Sequence, residues 1–169
     1  IFRVPARGLI GFRTQFMTET RGAGIANSIS DGLDVWAGDI KSRPTGSLVA
    51  DRTGQITQYA LTQLADRGNF FVEPGAEAYE GMVVGANNRD EDIDINITKE
   101  KKLTNMRSAT ADATVTLAKA HTLSLEEALE FCGNDECVEV APDVLRVRKV
   151  ELSATDRKRA AARAKQMNK

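Results

Sequence analysis

The chain has 169 residues, 41% of them apolar and 5% aromatic, with a single tryptophan, Trp36, and a formal net charge of −1. That length suffices for one ordinary domain, or one domain and part of another, with a core that needs no disulfide or metal staple. So few aromatics exclude base stacking as the main mode of any nucleic-acid contact. No apolar run approaches the roughly 18 residues of a membrane-spanning helix, so no span is expected. The small net charge hides an asymmetry. Residues 146–169 hold nine Lys/Arg against two Asp/Glu, whereas residues 1–145 hold fourteen against twenty-two. An acidic body with a basic end predicts a polyanionic partner for that end, although a merely solvated tail would carry the same charges.

The opening Ile1-Phe2-Arg3-Val4 shows no signal-peptide pattern and reads as mid-strand, the expectation for a piece of a longer protein. Leu9, Ile10, Phe12, Phe16 and Met17 recur at helical spacing, predicting a helix from about Ala6 to Glu19 that is entered through Pro5 and stopped by Gly22 and Gly24. Ile25 to Ser30 alternates and reads as a strand, and the stretch from Asp31 to Gly46 is irregular. A short strand over Gly46–Ala50, a turn at Asp51–Gly54 and a second helix over Ile56–Ala65, ending at Gly68, come next. Strands are predicted at Phe70–Val72 and Gly81–Gly85 around a Glu73–Tyr79 loop. Asp92 to Thr98 is a half-buried strand with Ile93, Ile95 and Ile97 on one face, and Val115 and Leu117 belong to another. Ser124-Leu125-Glu126-Glu127 is a capping box that opens a helix through Phe131, closed by Gly133. Cys137–Val140 and Val144–Val150 form a hairpin about Pro142-Asp143. Ser153 caps a last helix to about Gln166, too poor in large apolar residues to stand unless docked. Strands outnumber helices and interleave irregularly, which predicts an α+β fold with a mixed sheet or partial barrel and a few short helices.

Little here points to chemistry. Two cysteines, Cys132 and Cys137, and one histidine, His121, fit a reducing cytosol and cannot complete a four-ligand zinc site without carboxylate help; both cysteines read as structural. Asp90-x-Asp92-x-Asp94 imitates the start of a calcium loop, but Ile95 stands where glycine belongs and Lys101 where the chelating Glu belongs, so no metal site is expected. Asp51-Arg52-Thr53-Gly54 matches the signature with which GTPases sense a γ-phosphate, yet no phosphate-cradling Gly-x-x-x-x-Gly-Lys-Ser/Thr accompanies it. Gly22-Ala23-Gly24 lacks the third glycine of a dinucleotide loop. With no nucleophile elbow and one histidine, no catalytic residue is expected. The segment from Ile97 to Thr110 has no period and is long for a loop in a compact domain. Its Lys99, Lys101, Lys102 and Arg107 could neutralise phosphates, while Thr104, Asn105 and Ser108 could bond phosphate or sugar oxygens; a solvated flexible loop is the plainer alternative.

From Val4-Pro5-Ala6-Arg7-Gly8-Leu9-Ile10-Gly11-Phe12-Arg13 to Glu19-Thr20-Arg21-Gly22-Ala23-Gly24 the sequence resembles the BipA (TypA) family of bacterial translational GTPases, related to elongation factor G. The likeness continues at Asp66-Arg67-Gly68, Gly75-Ala76-Glu77-x-Tyr79-Glu80-Gly81, Lys101-Lys102-Leu103-Thr104-Asn105-Met106-Arg107-Ser108 and Leu145-Arg146-Val147-Arg148-Lys149, and covers essentially the whole chain. The resemblance implies that residues 1–30 are the last helix and strand of a ferredoxin-like domain V, that 31–150 are the family's C-terminal domain, and that 151–169 are a basic helix or tail. It implies that GTP and magnesium belong to N-terminal domains absent from this chain, which needs no cofactor of its own and is no enzyme. It further implies a cytoplasmic, monomeric protein acting in translation, large-subunit assembly and stress and cold adaptation. The expected partners are the 70S ribosome or 50S subunit, rRNA and the acceptor arm of A-site tRNA, met through the loop at Asn96–Thr110. Glu100 departs from a purely basic loop and would weaken phosphate attraction or pair with Lys101 or Lys102. Arg157, Lys158, Arg159 and Arg163 would extend the basic surface. The alternative is a protein-interaction or spacer domain that positions the GTPase through ribosomal proteins, with an exposed apolar patch near Trp36 or Phe70-Phe71.

Overall fold

A computed structural model describes residues 1–38, 40, 43–101 and 119–167. The fold is α+β, built on a mixed sheet with a few short helices. Its sheet comprises β1 (Ser47–Ala50), β3 (Gly68–Phe70), β5 (Met82–Asn87), β6 (Ile93–Ile95), β7 (Glu136–Val140) and β8 (Leu145–Lys149), and a two-stranded ribbon pairs β2 (Gly54–Gln55) with β4 (Glu77–Ala78). The sheet order is β6-β1-β5-β8-β7, with β3 also on β5. β1 and β6 run parallel and every other pair is antiparallel. Along one edge of β5 two strands share the ladder end to end: β8 pairs with Met82 and Val83, and β3 with Gly85 to Asn87. That approach depends on Gly68, where a Cβ would stand 1.8 Å from the Ala86 carbonyl oxygen.

The central strands are covered on both faces, which is why Leu48-Val49-Ala50 and Met82-Val83-Val84 are unbroken apolar runs. Leu48, Ala50, Met82 and Val84 join Ile56, Leu61, Ala78, Ile95 and Ile97 on one face, beneath helix α2 (Gln58–Leu64). Val49, Val83 and Val147 join Ala128 on the other, beneath helix α3 (Leu125–Phe131). Phe71 and Phe131 meet edge to face at 5.0 Å in that second cluster. α3 carries the predicted capping box: Glu127 N–H donates to Ser124 Oγ (3.3 Å) and Ser124 N–H to Glu127 Oε2 (2.8 Å). Those bonds to Ser124 hold the Glu127 carboxyl below its usual range. The last helix, α4 (Ala154–Met167), starts at Ser153, whose hydroxyl accepts from Asp156 N–H at 3.4 Å.

Several sequence expectations need correction. The helix expected over Ala6–Glu19 is split into a 3-10 turn, Ala6–Leu9, and α1, Phe12–Glu19, because Ile10 is extended and Gly11 sits at φ 78°. No strand forms at Ile1–Val4 or over Ile25–Ser30: Ile1, Phe2, Ile25 and Ile29 are exposed, and alternation makes a strand only where another strand completes its ladder, which none of the described residues does here. The Glu73–Tyr79 loop contains β4, and the turn at Asp51–Gly54 ends in β2. The strand expected at Phe70–Val72 lies two residues earlier, as β3. The strand expected at Val115 and Leu117 lies outside the described residues.

Candidate nucleic-acid interface

The basic segment begins where β6 runs out. Ile95 and Ile97 remain buried, and Asn96 Oδ1 accepts from both the backbone N–H (3.0 Å) and the hydroxyl (3.1 Å) of Thr98, turning the chain outward. Thr57 holds the next residue. Its side chain caps α2 by accepting from Ala60 N–H (3.1 Å) and donates to the Lys99 carbonyl (2.5 Å), while its own N–H donates to Ile97 O (3.0 Å). On the returning limb, His121 N–H donates to the Phe70 carbonyl on β3 (3.0 Å), and its ring lies 3.3 Å from Glu127. Both limbs are thus tied to regular structure. Lys99, Glu100 and Lys101 are exposed at the outgoing root. Among the described residues no carboxylate pairs with the Lys99 ammonium. Lys102, Thr104, Asn105, Arg107 and Ser108 lie outside the described residues.

The basic C-terminal helix is tied to the same strand. The Arg157 guanidinium pairs with Asp94 on β6 and donates to the carbonyls of Leu152 and Glu151, and Ala154 N–H donates to Glu80 (3.1 Å). Arg157 therefore serves chiefly to dock the helix. Arg159 pairs with Asp156 one turn earlier (3.2 Å), and Lys158 and Arg163 are exposed. Asp94 and Lys99 are five residues apart, roughly 16 Å along an extended chain.

A second charged centre escaped the sequence reading. Lys149, 1% exposed, places its ammonium against Asp92, Asp135 (2.7 Å) and Glu136 (2.9 Å). Glu136 also accepts from Ser47 Oγ (2.5 Å), Gly133 N–H (2.8 Å) and Arg43 (2.9 Å), and Arg43 stacks over the Phe131 ring at 4.1 Å. Burial opposes ionisation of Glu136, but these donors and Lys149 outweigh it and hold the carboxyl at about 2. Burial likewise works against the Lys149 charge, and its carboxylates outweigh that and raise its pKa. The oxygens of Asp92, Asp135 and Glu136 converge as a cation's ligands would, and the ammonium already fills that role. The signal was present: Leu145, Val147 and Lys149 share one strand face, so a lysine occupies an inward position. β8 and β6 are separated by β5 and β1, and Asp92 is brought within reach of Lys149 because it precedes β6 and accepts from Ser47 N–H on β1 at 2.7 Å. Cys132 nearby is raised by burial and by the Glu136 charge, in keeping with a structural thiol.

Of the apolar surfaces considered, Phe70 and Phe71 are packed against the two clusters, whereas Trp36 is exposed with the Arg7 guanidinium 3.7 Å above its ring.

A family model, the TypA/BipA C-terminal domain, matches residues 45–154, from the edge of β1 to the first residue of α4. The chain belongs to the TypA/BipA family. Curated relatives named large ribosomal subunit assembly factor BipA are similar along most of it. The Bacillus subtilis protein is 48% identical over 98% of this chain, the Synechocystis protein 46% over 88% and the Salmonella typhimurium protein 44% over 93%. The chain spans about a quarter of the length of these relatives, 25% to 27%. Within the TypA/BipA domain, the basic root at Lys99 follows β6, and α4, which follows β8, docks on β6 through Arg157.

Proposed function

We propose that this chain is the ribosome-docking region of a TypA/BipA-type assembly factor for the large ribosomal subunit, and that it grips RNA by the phosphate backbone. Lys99, Lys101, Lys102 and Arg107 neutralise phosphates, Thr104, Asn105 and Ser108 add hydrogen bonds to phosphate or sugar, and Lys158, Arg159 and Arg163 widen the basic surface. The observation that carries this reading is the doubly anchored root. A cation's effect on a polyanion depends on its not being neutralised at home, and Lys99 leaves a clamped backbone into solvent without a carboxylate partner among the described residues. The targets are rRNA of the 50S subunit or 70S ribosome and the acceptor arm of A-site tRNA, in the cytoplasm. GTP, magnesium and hydrolysis belong to the remainder of the protein.

Each neutralised phosphate releases counterions, so four loop contacts give a slope of log affinity against log salt of about 3 to 4. Binding of this chain to purified large subunits, measured across salt, should lose most of that slope when Lys99, Lys101, Lys102 and Arg107 are all replaced by alanine. Unchanged affinity and slope would remove the loop from the interface. The second reading, a surface that positions the GTPase through ribosomal proteins, is supported by exposed Ile25, Ile29, Leu33, Val35 and Trp36. It predicts binding that barely responds to salt.

A further inference from the structure

The β7–β8 hairpin places Arg146 and Arg148 on one strand face, two residues apart and therefore about 6.6 Å along the strand. Both are half-buried, and among the described residues neither has a carboxylate within ion-pairing distance. The reason lies across the ladder. Arg146 stands directly opposite Glu139, the position from which a cross-strand partner would come. Glu139 is instead engaged by Tyr79, whose hydroxyl donates to its Oε2 at 2.6 Å. Arg148 directs one N–H to the Lys149 carbonyl (3.1 Å), which orients the fork and leaves its other donors available. Burial and then the Glu139 hydrogen bond push the Tyr79 hydroxyl well above its ordinary range, with the charges of both guanidiniums opposing.

Glu80, next to Tyr79, accepts from Ala154 N–H at the start of α4, and a Cβ on Gly81 would meet the Leu152 backbone at 2.6 Å. Two guanidiniums without an ion-pair partner among the described residues thus share the Met82 face of the sheet, whereas Arg157 docks the helix on Asp94, on the Val49 face. Guanidinium stems can cover apolar surface with no partner at all, but two forks aligned on one face, beside a carboxylate already occupied, suit successive backbone phosphates.

We propose that Arg146 and Arg148, facing a Glu139 that Tyr79 engages, form a second RNA phosphate-binding face on this chain, distinct from the segment that begins at Lys99. This rests on the RNA-docking reading above and extends it to residues outside the loop. Binding of the full chain to a labelled single-stranded oligouridylate, and to purified large ribosomal subunits, tests it across a salt series. Arg146→Gln with Arg148→Gln retains the stems and should lower the slope by about 1.4, two contacts at about 0.7 each on a single strand. Arg146→Lys with Arg148→Lys should restore the slope. Glu139→Gln keeps a partner for Tyr79 while deleting a negative charge, and should tighten binding, a gain that a purely structural role for these residues does not predict. Thermal melting identifies any variant that fails to fold, and the lysine pair and Glu139→Gln then carry the test. If the double glutamine variant matches the parent in affinity and slope, or if the lysine pair fails to restore a lost slope in folded protein, the second face is refuted. Should the four loop substitutions abolish slope while the hairpin variants bind as the parent does, the loop reading stands and this one falls. If the unaltered chain binds neither probe, both fall.

Discussion

Lys149 and Lys99 carry the same ammonium group and the fold uses them in opposite ways. Lys149 is buried on the sheet, surrounded by Asp92, Asp135 and Glu136, and its charge is consumed in joining β8 to the head of β6. Lys99 leaves the far end of β6 into solvent, with its carbonyl held by Thr57 and its side chain unpaired among the described residues. One strand therefore has a neutralised charge centre at its head and an uncompensated one at its exit. The difference teaches that a cation's role follows from how many carboxylates the tertiary structure brings within reach, rather than from the cation itself.

The contrast breaks most visibly at the buried end. Replacing Lys149 by alanine removes the buried ammonium and leaves a cavity, while Arg43 still pairs with Glu136 and Asp135 stays largely exposed, so the loss should lie toward the lower end of the about 3 to 5 kcal/mol that breaking a buried ion pair costs. Urea denaturation should show a loss of that size, while the salt slope of RNA binding, measured where the variant is folded, should stay at the parent value. A loss below about 1 kcal/mol would mean that the centre does not hold β8 to the head of β6.

Acidity sharpens the same comparison. Glu136 titrates at about 2 in the folded chain against an ordinary 4.5, so its contribution is fully present above the ordinary value and is lost as pH falls through about 2. A shift of that size corresponds to about 3 kcal/mol. Lys149 is raised, so its contribution is present below its ordinary 10.5 and is lost as pH climbs through the raised value. Stability measured against pH should therefore fall off at both extremes, and Glu136→Gln should flatten the acid limb. An acid limb identical to the parent's would show that other carboxyls govern it.

The smallest effect belongs to the exit of β6. Thr57→Val deletes the α2 cap and the donor to the Lys99 carbonyl, and a lost cap costs about 1 kcal/mol. Because no charge changes, RNA affinity should weaken as the root loosens while the salt slope remains that of the parent. A changed slope would show that Thr57 acts on the number of phosphate contacts and not on their placement.

What the sequence determined by itself were the features whose partners lie within a few residues. The Ser124–Glu127 box, the hairpin about Pro142-Asp143, the alternating Ile93 and Ile95, and the apolar run Met82–Val84 are local signals, and each lies in the element its pattern predicted, although β6 ends at Ile95, short of the Thr98 expected. The cationic content of the segment from Lys99 was equally legible, as was the family resemblance. The tertiary structure alone decided the parallel pairing of β1 with β6, the sharing of one β5 edge by β3 and β8, and the fate of Ile25–Ser30, whose alternation found no ladder. It also decided which charges are consumed. Lys149 meets Asp92 across a sequence separation of 57, and Thr57 reaches the Lys99 carbonyl across 42. No periodicity reports such a meeting, because it depends on which strands become neighbours, and that follows from packing two apolar faces at once.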